Sequence, residues 1–212
     1  VGAFSGFFMN LIIARSLSLE ESGFFFLSFA ICSAVGMLCT LGLTNAFIRF
    51  IGGYHSDGNW AVIKGVFITG IKSVTLVSIC VALILFALSE TLSVVVFSKP
   101  NLSSILDVMV VAIPCFALYQ LISFAYQGLH KPLPSIFFQN ISNQLIVSIV
   151  IIIFTVVGIS LSGESIAIMF LVGAFVTTVG ALWLWQSQDI SKVVADYSQT
   201  ADLFRSAKPL WF

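Results

Sequence analysis

The chain has 212 residues, of which 59% are hydrophobic and 8% charged, with a mean hydropathy of +1.10. Soluble domains carry roughly a quarter charged residues, so this composition excludes an ordinary soluble fold and indicates a membrane protein. Nine basic and nine acidic side chains cancel, leaving no overall basic excess to attract nucleic acid.

The first apolar run, 1–14, begins at Val1 and is shorter than the roughly 20 residues a helix needs to cross the hydrocarbon core. It is expected to be the remainder of a first helix in an amino-terminal fragment. It lacks the basic leader and small-residue cleavage site of a signal peptide. Longer apolar runs follow at 24–48, 65–88, 105–128, 135–160 and 165–185. Such segments cross a bilayer only as helices, because barrel strands are about 10 residues of alternating polarity and lipid leaves backbone groups no outside partner. The expected fold is all-α: a polytopic bundle of six transmembrane helices, with a seventh starting at 209–212. There Pro209 suits a first helical turn and Trp211 an interface.

In the second run, Ser28, Cys32, Gly36, Thr40 and Thr44 recur every four residues, a ridge that allows a neighbouring helix close approach. Asn45 and Arg49 form an i, i+4 pair at its end. The third run contains Lys72, about 10 Å along the helix from Gly65. A charge at such depth costs about 2.5–3.5 kcal/mol on insertion scales. It either snorkels to the interface or faces a hydrated cavity, along a polar line with Thr69 and Thr75. The short run 92–97, followed by Pro100, is expected to lie at the surface between the third and fourth helices. Pro114 is expected to kink the fourth helix, since proline removes a backbone donor.

The fifth run opens with Gln139, Asn140, Asn143 and Gln144, of which the last three share one helical face. They suit interhelical hydrogen bonds of about 0.6 kcal/mol each, or an amide-lined hydrated cavity. Cys32, Cys39, Cys80 and Cys115 lie in apolar runs without CxxC spacing and read as small hydrophobes rather than metal or disulfide partners. After the sixth run, residues 186–208 form a connector. In it Ile190, Val193, Val194, Tyr197, Ala201 and Phe204 recur at helical spacing, as in an amphipathic helix on the membrane surface or a soluble linker.

Orientation follows the basic residues. Arg49, Lys64, Lys131, Lys192, Arg205 and Lys208 flank one side, against Arg15 and Lys99 on the other, which places the even-numbered loops in the cytoplasm. Trp60, Trp183 and Trp185 are expected there as interfacial anchors, with His55 and His130 solvated in the same loops. Glu20, Glu21, Glu90, Asp107 and Glu164 fall on the outer side and form no catalytic motif, so no catalytic residue, metal or cofactor is assigned.

Two stretches, ARSLSLEESGFFFLSFAI (14–31) and LGLTNAFIRFIGGYHSDGN (41–59), resemble the opening of the Wzx-type O-antigen and polysaccharide flippases. These belong to the superfamily of multidrug, oligosaccharidyl-lipid and polysaccharide exporters, with the lipid II flippase. The likeness rests on Ala14-Arg15, Leu17, Gly23-Phe24, Gly42-Leu43, Ala46 and Arg49, and departs from the usual pattern at Ser18, where a glycine is common. It implies one lobe of a two-lobe transporter in the bacterial inner membrane, with a missing carboxy-terminal lobe. The implied partners are membrane lipid and an oligosaccharide carried on polyprenyl pyrophosphate. Arg15, Lys72 and Arg49 would then engage the pyrophosphate, with Asn45 beside Arg49 in the binding site, and Asn140, Asn143 and Gln144 would hydrogen-bond sugar or phosphate oxygens. The alternatives are a cation-exporting drug or metabolite antiporter, which would place acids in its cavity, and a membrane enzyme that polymerises glycans.

Overall fold

In the computed structural model, which describes residues 2–188, 193–198 and 203, the apolar runs are helical and the described residues include no strand. Helix α1 is Gly2–Ser16. Helix α2 (Leu19–Cys39) starts after Ser18, whose hydroxyl accepts the Glu21 amide proton and donates to the Glu21 carboxylate, each at 3.3 Å. This local capping moves the helix start well ahead of 24.

Helix α2 does not run on to 48. It stops where Leu41 and Gly42 adopt left-handed φ values of 54° and 67°, and α3 (Leu43–Ser56) begins afresh. Glycine adopts this conformation freely, whereas for a leucine it costs about 1 kcal/mol or more, so surrounding packing has to hold Leu41 there. The break is invisible to hydropathy because both sides of it are apolar.

Helix α4 (Trp60–Thr91) is capped by Asn59, whose side chain accepts the Val62 amide proton at 3.4 Å. It passes directly into a π-helical turn, Leu92–Val96, so the run 92–97 is not a separate surface segment. The helix ends only at Val96, ahead of the left-handed Ser98, and the Ser93 hydroxyl donates to the Ser89 carbonyl at 2.8 Å across the junction. The continuous span Trp60–Val96 is 37 residues, about 55 Å long against a hydrocarbon core of about 30 Å. It must tilt or project beyond the lipid.

Helix α5 (Leu102–Gly128) is the centre of the bundle, packed by α2, α3, α4 and the later helices over 132–140 and 163–186. It runs uninterrupted through Pro114. Helices α6 (Pro132–Asn140) and α7 (Ser142–Val157) replace the single helix expected at 135–160, with a bend of 44° at Ile141. Helix α8 (Gly163–Gln186) follows a Ser162 cap, and its Thr178 hydroxyl donates to the Cys115 carbonyl at 3.0 Å, just beyond Pro114. By length and composition α2, Trp60–Val96, α5 and α8 can each cross a membrane, and α6–α7 together make a fifth candidate. Helix α1, with 15 residues, falls short of that length.

Close approaches set the helix directions. Gly36 meets Phe116 and Gly52 meets the Gly128 carbonyl, while Gly163 meets Ile105 and the Tyr126 hydroxyl donates to the Ala181 carbonyl. Thus α2, α3, α5 and α8 run one way and the helices between them return. A Cβ on Gly36 would lie 2.5 Å from the Phe116 ring, so the small-residue ridge packs against α5 as expected, with Ser28, Cys32 and Thr40 buried. Thr44, past the break, leaves the ridge.

The loops gather at two ends. One carries His55, Lys64, His130 and Lys131, and the other Ser18, Glu20, Glu21, Lys99 and Glu164. At the histidine end, Trp183 is 71% exposed but Trp185 is only 5% exposed, so Trp185 is not an interfacial anchor. Its ring stacks on Phe67 with centroids 3.9 Å apart. His55 is half-buried between Trp60 and His130, with ring centroids at 5.0 and 5.8 Å, rather than freely solvated. Residues 193–198 form no helix; the Asp196 amide donates to the Ala61 carbonyl (2.9 Å) and Lys64 Nζ to the Val193 carbonyl (2.8 Å). The rest of the expected connector beyond 188, apart from Leu203, and the segment 209–212 lie outside the described residues.

Candidate functional site

The two interrupted helices meet across α5. Thr40 and Thr44, on either side of the first break, and Gln139, just before the second, line one cavity of about 310 Å³ with Gln120 and Phe116 of α5. A smaller cavity of about 180 Å³ shares Phe116, Gln120 and Gln139 and extends to Tyr119, Asn140, Asn143 and Gln144. Together they form a cleft whose polar lining consists of amides and hydroxyls. Phe116, Tyr119 and Gln120 lie within about 8 Å of the midpoint of α5, at the middle of the bundle.

Helix α1 closes one wall. Its Ser5 Oγ lies 2.6 Å from Gln144 Oε1 and 2.8 Å from both the Asn140 and the Gly2 carbonyl oxygens, so the hydroxyl touches groups on both sides of the Ile141 bend and its one proton is shared among them. Asn140 Nδ2 donates to Gln139 Oε1 at 3.3 Å. Asn143 is 4% exposed. Yet Asn143 Oδ1 has no partner, and neither has Gln120 Oε1; both atoms are buried. A Cβ on Gly173 of α8 would fall well inside contact distance of Asn143 Oδ1, so the absence of a side chain there makes room for that oxygen. Buried polar atoms are nearly always paired; Ser28 Oγ, His55 Nδ1 and Asp107 Oδ1 are open as well, so it is the uncharged polar lining of the cleft, rather than the unpaired oxygens by themselves, that marks it out.

The chain matches the family described as polysaccharide biosynthesis protein over residues 2–212. It belongs to that family. No curated protein and no solved structure matches it.

In this polysaccharide biosynthesis protein the structure brings together Asn140, Asn143 and Gln144, as their spacing anticipated, although the bend puts Asn140 on α6 and the other two on α7. The other candidate residues do not line the cleft. Arg15 is exposed at the far end of α1, about 20 Å along the helix from the contact of Gly2 with Asn140. Asn45 and Arg49 lie on the exposed side of α3, with the Arg49 guanidinium 5.8 Å from the Phe50 ring centre. Lys72 is exposed on α4, in register with exposed Leu76, Ile79 and Leu83. That stripe presents an apolar outer face, not the cleft. Sequence reasoning missed Ser5, Tyr119 and Gln120 as cleft residues. Gln120 had a readable signal, an amide near the middle of the greasy 105–128 run.

A further cavity, of about 280 Å³, lies at the glutamate end between the starts of α2, α5 and α8, and it gathers Ser18, Glu20, Glu21, Asn101, Ser162 and Glu164. The carboxylates occupy the first turns of α2 and α8, where the helix dipole favours negative charge. Glu20 also pairs with Lys99 at 3.7 Å across the surface. Helix capping therefore accounts for this cluster. The described residues include no group of three or more side chains fit to hold a metal ion.

Proposed function

We propose that this protein carries polyprenyl-pyrophosphate-linked oligosaccharide from the cytoplasmic to the outer leaflet of a bacterial inner membrane, with a second helical lobe, for surface polysaccharide assembly. The observation that carries this reading is the uncharged polar cleft at mid-bundle, bordered by two broken helices. Discontinuous helices at the midplane are the usual setting of transporter substrate sites. Membership of the polysaccharide biosynthesis protein family supports the substrate class.

In this mechanism no covalent step occurs. The headgroup enters from the end rich in Lys64, Lys131 and His55, which the basic-residue rule assigns to the cytoplasm. The cleft and the facing lobe then rock to open on the other side while the lipid tail stays in the bilayer. Arg15, Lys72 and Arg49, with Asn45 beside Arg49, lie outside the cleft and would meet the pyrophosphate along its rim and outer faces, through charge-assisted hydrogen bonds. An inside-negative potential favours outward movement of negative charge by about 2.3 kcal/mol per charge per 100 mV. An organic-cation antiporter is the less favoured reading, because no carboxylate lines either part of the cleft.

The test is reconstitution of the intact protein in liposomes with lipid-linked oligosaccharide in the inner leaflet, scored by access of an external lectin. Protein-dependent appearance of sugar outside is the expected result, lost when Arg15 and Lys72 are both changed to alanine. Robust export of an organic cation with no glycolipid movement would overturn the reading.

A further inference from the structure

After α8 the chain returns to α4. Residues 193–198 cross the start of that helix as a strap that forms no helix of its own, and the main chain of the strap makes the bonds that hold it. The Asp196 amide donates to the Ala61 carbonyl at 2.9 Å, and the Val193 carbonyl accepts from Lys64 Nζ at 2.8 Å. Gly65 makes this approach possible. A helical Cβ leans back over the preceding turn and covers the carbonyl four residues earlier, here that of Ala61. A Cβ on Gly65 would fall well inside contact distance of the Asp196 carbonyl oxygen.

The sequence of the strap favours another conformation. Val193, Val194 and Tyr197 fall on the apolar side of a helical period, yet in the docked strap Val194 is 87% and Tyr197 51% exposed. Asp196 supports the docked form, since its Oδ1 accepts the Ser198 amide proton at 2.9 Å, a local bond of the kind that competes with helix formation. The two forms exclude each other at one atom. An amide has a single proton, which in a helix goes to the carbonyl four residues back and in the strap goes from Asp196 to Ala61. Helix formation would also turn the Val193 carbonyl away from Lys64 and towards the amide of residue 197.

We infer that residues 193–198 are a two-state strap: docked on α4 through the main chain, or undocked and helical with Val194 and Tyr197 against the membrane surface. Gly65 is the residue that admits the docked state. Docking ties the exit of α8 to the start of α4, at the same end as the Phe67–Trp185 stack, and undocking frees that end. The undocked form gains cover for apolar side chains that the docked form leaves exposed, as an amphipathic segment does on a bilayer. This switch is independent of what the protein carries.

The experiment measures the distance between nitroxide spin labels on Val194→Cys and Leu133→Cys, both at highly exposed positions. It uses the intact protein in nanodiscs of phosphatidylethanolamine and phosphatidylglycerol, with exposed Cys80 changed to serine and the parent lacking the two new cysteines as background. The otherwise unchanged strap should give two distances. G65A should remove one and leave the other narrow, with no loss in the thermal transition, because alanine suits the interior of α4 better than glycine does. K64M deletes only the lysine bond and should lower the ratio of docked to undocked populations about tenfold, the lower worth of a hydrogen bond to a charged group. D196P lacks the amide proton that both states use and breaks a helix, so one broad distribution should replace both distances. A distance distribution left unchanged by G65A would overturn the inference. So would a broad distribution in G65A, which would mean that the undocked strap is not helical. Should G65A fail to fold, K64M and D196P carry the test, and unchanged distances in both would overturn it.

Discussion

The two sides of α5 treat buried polarity in opposite ways. Towards α4 and α8, fully buried Tyr126 donates its hydroxyl proton to the Ala181 carbonyl at 3.0 Å, and its ring meets Trp185, which stacks in turn on Phe67. Towards α1 and α7, Gln120 of the same helix and Asn143 across from it leave carbonyl oxygens unpaired beside empty space. Both helix breaks, at Leu41–Gly42 and at Ile141, border the cleft. Pairing is incomplete elsewhere too, since Ser28 Oγ, His55 Nδ1 and Asp107 Oδ1 are also buried without a partner, but at the cleft the unpaired residues lie beside empty space and both helix breaks.

The comparison breaks most visibly at Trp185. Truncating it to alanine should cost about 3 kcal/mol, the lower range for a buried large aromatic, because the space between Phe67 and Tyr126 cannot close around unbroken helices. The same change at Trp183, 71% exposed, should stay within about 0.5 kcal/mol. Thermal unfolding of the two variants in detergent measures the difference, and similar losses at both positions would mean that the aromatic stack is not what fixes α4 on α8.

A smaller effect with a change of sign separates the two sides more sharply. Tyr126→Phe removes a satisfied hydrogen bond and should lower stability by about 1 kcal/mol. Asn143→Leu removes an unsatisfied buried oxygen and should leave stability unchanged, or raise it by about 1 kcal/mol, while glycolipid movement falls. Equal destabilisation by both would show that Asn143 is ordinary interhelical glue, and the contrast drawn across α5 would fail at its main point.

Much of this architecture was legible in the apolar runs, because in lipid the backbone leaves helices as the only option for such segments. The amides at 140, 143 and 144 announced a polar face by spacing alone. Hydropathy could not reveal the breaks at Leu41–Gly42 and Ile141, since each lies between residues that are individually at home in a span. The role of Trp185 was misread for a related reason: position near a helix end suggests the interface, but only the neighbours Phe67 and Tyr126 decide whether the ring turns outward or inward. Lys72 shows the converse limit. Its depth could be estimated from the chain, whereas the face it occupies depends on how α4 lies against α3 and α5.

The smallest effect concerns how the bend at Ile141 is secured. Immediately after it, the buried Ser142 and Thr177 hydroxyls lie 3.0 Å apart, joining the first turn of α7 to α8. A double-mutant cycle with Ser142→Ala and Thr177→Val should give a coupling of about 0.6 kcal/mol, the average for side-chain hydrogen bonds inside membranes. Such a weak tie allows α7 to shift against α8 as the cleft fills and empties, because loss of the bond costs little more than the thermal energy. A coupling above about 1.7 kcal/mol, the upper end seen for such pairs, would instead make the junction a rigid post. The movement that empties the cleft would then have to come from the other break, at Leu41–Gly42, where no side chain caps the start of α3.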